Sequence, residues 1–143
     1  MQIQVKVRDG GGDRNRDLIK EYVTVGSDAC VENAGVCRKM GDADMERFWN
    51  VVDRIMEDGW EEDFVEDTLV DLLEEIGDSG DVVGLVTICE VVGVMGRKGV
   101  VKKIGLPRVR EWYLSYLSLL RSLCMNTKAT EMIKRCPDPV ISR

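Results

Sequence analysis

From residue 13 onward, apolar residues recur at intervals of three and four rather than two, and this spacing predicts a mainly α-helical chain. After the glycines at 10–12, Asp13 is placed to cap a first helix with the stripe Leu18, Ile19, Tyr22 and Val23, stopped at Gly26. A second apolar pattern starts near Glu32, takes in Val36, Cys37, Met40 and Met45, and continues through Phe48, Trp49, Val52, Ile55 and Met56 to Gly59. The stretch WEEDFVEDTLVDLLEEIG opens with acids that suit the positive end of a helix dipole. It lines up Phe64, Val65, Thr68, Leu69, Leu72, Leu73 and Ile76 on one face, with Gly77 as the expected C-cap.

Beyond a DSG loop, the run from Asp81 to Met95 is apolar nearly all round and is broken only by Glu90, the pattern of a helix at the centre of a bundle. Gly84 and Gly93 would let neighbouring helices approach it closely. The connection GRKGVVKKIGLP then leads to a helix starting near Pro107, with Val109, Trp112, Tyr113, Tyr116, Leu117 and Leu120 inward. A short helix over about 127–135 ends before Pro137. The expected organisation is one all-α domain over 13–136, a central apolar helix wrapped by amphipathic ones, with a flexible lead at 1–12 and a short tail at 137–143.

Composition narrows the function. A chain of 143 residues with 44% hydrophobic content can bury one core. Its net charge of −6 disfavours a nucleic-acid surface and favours a basic or amphipathic partner. Five cysteines without a CxxC pair, in a chain with no histidine, read as thiols of an intracellular protein rather than as zinc ligands, and no metal or other cofactor is expected. The polar start MQIQVKVRDGGGD does not read as a signal peptide, and the fourteen residues from Val82 to Met95 are too few for a membrane span. No transmembrane anchor is expected, and residence in the cytoplasm is.

Apparent catalytic motifs fail on their context. GDSG at 77–80 copies the surroundings of a protease serine, but no histidine is available to take the proton of Ser79. A calcium loop starting at Asp42 would need glycine where Arg47 stands, and Gly93, Gly96 and Gly99 follow no strand that would make them a phosphate loop. The acids Glu57, Asp58, Glu61, Glu62, Asp63, Glu66 and Asp67 read either as a solvated helix face or as a lure for a basic partner helix. An enzyme is not expected.

Three stretches, in order, resemble the Bcl-2 family of apoptosis regulators. RNRDLIKEY resembles its fourth homology motif through Asn15, Arg16, Leu18, Ile19 and Tyr22; CRKMGD resembles the third through Cys37, Arg38, Met40, Gly41 and Asp42. LLEEIGDSGDVVGL resembles the first through Leu72, Leu73, Gly80, Val82, Val83 and Leu85, and VREWYLSYL is similar to the sixth helix through Trp112, Tyr116 and Leu117. The resemblance implies a Bcl-2-like helical bundle that sequesters the amphipathic homology-3 helices of pro-death Bim-like, Bak-like and Bax-like proteins and so protects the mitochondrial outer membrane. It implies a groove lined by Met40, Met45, Phe48, Val52, Leu69, Leu72, Leu73, Gly80, Asp81, Val82, Val83 and Val86, and association with mitochondria through those partners.

Asp81 stands where the family carries an arginine that meets a ligand carboxylate, so a charge-repelled, narrower ligand range is expected. Gly41 is expected to let the second helix pack against the core. The compact, divergent, anchorless form is similar to virus-encoded members acting in a host cell. Alternatives are a pro-death member that donates its own CRKMGDADM helix, and a helical interaction module or homodimer without a groove.

Overall fold

The computed structural model describes residues 11–142, and among them every regular element is helical. The α-helices are α1 Gly11–Glu21, α2 Ala29–Lys39, α3 Ala43–Glu57, α4 Glu62–Ser79, α5 Val82–Val92, α6 Lys98–Ile104, α7 Leu106–Ser122, α8 Asn126–Arg135 and α9 Pro139–Ser142, with a 3₁₀ turn Val94–Gly96 between α5 and α6. The all-α class and the central apolar helix are therefore as expected: residues 82–89 and Val92 of α5 are all buried. Around α5 pack α1, α3, α4 and α7, and α8 closes over α7. The inward stripe of α7 is also as read, with Val109, Trp112, Tyr113, Tyr116, Leu117 and Leu120 buried.

Several boundaries differ, each for a local reason. Most of the expected flexible lead lies outside the described residues, and Asp13 sits in the first turn of α1 rather than at its cap. The second helix begins at Ala29, and the buried Asn33 side chain both accepts from the Val23 N–H and donates to the Val23 carbonyl at 2.8 Å, fastening the preceding loop. The long pattern through Met56 splits in two at Met40–Gly41, where Gly41 turns the chain at φ +74° and Asp42 caps α3 by accepting from the Met45 N–H.

Helix α4 runs past Gly77 and ends at Gly80, which takes the left-handed conformation at φ +82°. Gly77 is instead an interior position of the helix, facing α7. A Cβ there would stand 3.4 Å from the Trp112 ring of α7. The central helix is also shorter than its pattern, because Gly93 at φ +68° ends it and the 3₁₀ turn redirects the chain. The C-terminal segment is no loose tail: α9 buries Ile141, and Asp138 accepts from Arg110 of α7 at 2.6 and 3.1 Å. No helix among the described residues is long and apolar enough to cross a membrane.

Candidate functional site

The three motif-like segments, separate in sequence, converge on the N-terminal half of α5. From α1, Arg14 donates to Asp42 at 2.8 Å, joining the first segment to the Gly41–Asp42 turn of the second. Tyr22 shares a 3.1 Å hydrogen bond with the Cys37 thiol of α2 and packs against the Trp49 ring of α3 with centroids 5.6 Å apart. Burial pushes the Cys37 thiol up to about 11, with Tyr22 partly offsetting that through its hydrogen bond, and burial raises Tyr22 still further above the ordinary phenol value. Both groups are neutral packing elements at neutral pH.

The third segment enters through Asp81 and Gly84. Asp81 is 5% exposed, and its Oδ1 accepts from the Gly84 N–H at 3.1 Å, so it is the N-cap of the central helix. The role of this acid is local: it holds the start of α5 and is almost wholly withdrawn from the surface. A Cβ on Gly84 would come within 2.6 Å of the Met45 methyl, so glycine lets α3 lie directly on α5.

The residues expected to line a groove divide by depth. Met45, Val52, Leu69, Leu72, Leu73, Val82, Val83 and Val86 are buried in the core, Gly80 is buried at the α4 cap, and only Met40 and Phe48 are half-buried beside the core. The structure thus brings these side chains together as packing partners around α5. Leu18, Tyr22, Trp112 and Tyr116 are core residues likewise. Gly41 requires a different explanation from the one the pattern suggested. It is exposed, and a Cβ there would meet nothing within 4 Å, so its role is the positive φ of the α2–α3 turn and not close helix packing.

Surface apolar area lies elsewhere, at the corner where α3 passes into α4. Gly59 at φ +66° turns the chain, and Trp60 and Phe64 stack with ring centroids 5.0 Å apart while remaining 50% and 48% exposed; Met56 is exposed beside them in sequence. Exposed aromatics in contact are a feature of association surfaces. The sequence had put Phe64 on the inward face, although its neighbour one turn on is the polar Thr68, a sign that it stands at the edge of the stripe. Several of the acids of this region are engaged within the chain: Glu62 pairs with Arg97, and Glu66 and Asp67 with Lys103. That is the solvated-face reading for these three, while Glu57, Asp58, Glu61 and Asp63 rim the aromatic corner in sequence.

Among the described residues no group of three or more Cys, Asp and Glu is arranged to hold a metal ion. Cys30, Cys37, Cys89 and Cys136 are buried free thiols and Cys124 is exposed. Comparison of the chain with protein-family models and with curated proteins gave no match.

Proposed function

We propose that the protein is a survival-type helix-binding protein, similar in design to the Bcl-2 family, that captures amphipathic homology-3 helices of Bim-like, Bak-like or Bax-like partners. The observation that carries this reading is the convergence of the three motif-like segments, in the family's order, on one end of a central apolar helix, the first two tied by the Arg14–Asp42 ion pair and the Tyr22–Cys37 contact and the third supplying the Asp81 cap of that helix. Chance matches scattered over a helical chain have no reason to pack on one another.

Because most of the expected groove residues are core in this conformation, the ligand enters along the seam of α3 and α4. Helix α3 packs extensively on α2 and only lightly on α4, and the seam ends at the exposed Met56, Trp60 and Phe64. A partner helix first engages that aromatic corner, then displaces α3 from α4 and lays its apolar ridge over Val52, Leu69 and Leu73. Acids at the corner favour a partner helix with basic flanks.

Calorimetric titration with homology-3 peptides of Bim, Bid, Puma, Bak and Bax tests the reading. Submicromolar binding by one or more, with faster amide exchange in α3 of the complex, is the expected result; silence across the set would overturn it. A second reading has one observation in its favour, the stacked exposed aromatics, which would equally serve an interaction module that self-associates. Sedimentation of the free protein distinguishes the two, since self-association would have to weaken on Trp60→Ala.

A further inference from the structure

A cavity of about 400 Å³ opens between the 3₁₀ turn, α6, the start of α7 and the segment entering α9. Its volume is in the range of about 300–1,000 Å³ typical of small-molecule sites. The wall is apolar, formed by Met95, Val101, Leu106, Pro137 and Pro139. Three cations border it, and they are not equivalent. Arg110 is neutralised by its two hydrogen bonds to the nearly buried Asp138. Lys98 and Lys102 stand one helical turn apart on α6 and so project to the same side.

Neither of these two lysines has a carboxylate within ion-pair distance among the described residues, whereas their neighbours Arg97, Lys103 and Arg108 are each paired with acids of α4. In a chain of net charge −6, that leaves two uncompensated positive charges at the mouth of an apolar pocket. The complement to this arrangement is a molecule with an apolar chain and a single anionic end. We propose that the cavity binds an anionic amphiphile, a medium-chain carboxylate, with its tail against Val101, Leu106 and the two prolines and its head between Lys98 and Lys102. This site is separate from the α3–α4 seam and does not depend on the helix-binding function.

Titration of the full chain with decanoate below its micellar concentration tests the proposal, with decyltrimethylammonium and acetate as the cationic and tail-less controls. Decanoate should bind with one-to-one stoichiometry, and both controls should be silent or at least about tenfold weaker, as loss of charge-assisted bonds or of the apolar tail dictates. The double variant Lys98→Gln/Lys102→Gln changes only exposed side chains and should keep the parent's circular dichroism and melting temperature while weakening decanoate about tenfold. Amide resonances that move on binding should cluster at residues 95–110 and 137–141. No binding of decanoate, equal binding of the cationic chain, an unaffected double variant, or shifts centred on Trp60 and Phe64 would each overturn the assignment.

Discussion

The C-terminal half of α4 buries Leu72, Leu73 and Ile76 beneath its neighbours and sets Gly77 beside the Trp112 ring, whereas its first turn, although Val65 and Leu69 further on are buried, holds Phe64 half in solvent against an equally exposed Trp60. Both halves carry large apolar residues among acids, so composition does not distinguish them. Their neighbours do. The C-terminal half meets α5 and α7 through apolar contact, with Arg108 of α7 joining Glu74 by an ion pair, while the N-terminal half meets α6 and its approach through charge: Arg97 to Glu62 and Lys103 to Glu66 and Asp67. Charged contacts of this exposed kind add little stability and leave an apolar edge open. In the free protein the first turn of α4 is thus the part open to a partner, and the buried residues beyond it hold the fold.

That division is testable by substitution at each end. Leu73→Ala should lower the free energy of unfolding by about 2–5 kcal/mol, read from urea transitions, because a fully buried leucine leaves a cavity. Asp81→Ala removes the cap of α5 and should cost about 1–2 kcal/mol. Asp81→Arg should cost more, since it directs a guanidinium into a buried site. An Asp81→Arg variant that kept its stability and bound more peptides would return position 81 to a ligand-facing role.

The two glycines near the end of α4 give opposite signs. Gly80→Ala should cost about 1 kcal/mol or more for its left-handed φ, while Gly77→Ala, which has room at ordinary contact distance from Trp112, should gain about 0.5–1 kcal/mol in helix propensity. A loss at position 77 would mean that the tryptophan cannot yield. At the other end, Phe64→Ala should change stability by less than about 1 kcal/mol, yet weaken homology-3 peptide binding about tenfold or more. Equal damage to both properties would erase the distinction between the two halves.

The smallest effect concerns Glu90, where α5 meets α7 and α8. Burial holds its carboxyl above the ordinary glutamate value, although Arg135 and the Tyr113 hydroxyl, which donates to it at 3.3 Å, act in the opposite direction. A carboxyl that binds its proton more tightly in the folded state supports the fold below its unfolded pKa, and that contribution is lost as pH rises through the folded value. Glu90→Gln does not titrate, so its urea midpoint should improve relative to the parent's on going from acid to neutral pH. A constant difference would show that the ion pair to Arg135 cancels the effect of burial, and a difference of opposite sign that it outweighs it.

Helix content, the central position of α5 and the inward face of α7 were legible because 3.6-residue periodicity records burial directly. Interruptions were less legible. At Gly41, Gly77, Gly80 and Gly93 the same residue serves a turn, a close approach or a cap, and only the φ angle and the neighbour distinguish them. Asp81 could be read as a surface charge or a cap, and the Gly84 N–H that decides the matter lies three residues away, a spacing as common in loops as at helix starts. The aromatic corner was missed because periodicity identifies a stripe but not its covered length, and α4 is longer than the helices that cover it. The cavity beside α6 depends on α9 folding back through Asp138, a contact between positions 28 apart that no local pattern contains.

One such distant contact also sets an order of events in biosynthesis. Lys128 of α8 donates to the Ile19 carbonyl near the end of α1, a bond between residues 109 positions apart. At ribosomal rates of about 5–20 residues per second, the end of α1 is made roughly 5–20 s before the residue that closes over it. For most of that interval Leu18, Ile19 and Tyr22 have no α5 to cover them. The nascent chain therefore carries an amphipathic segment ahead of its partners, and docking of α1 waits on segments made well after it.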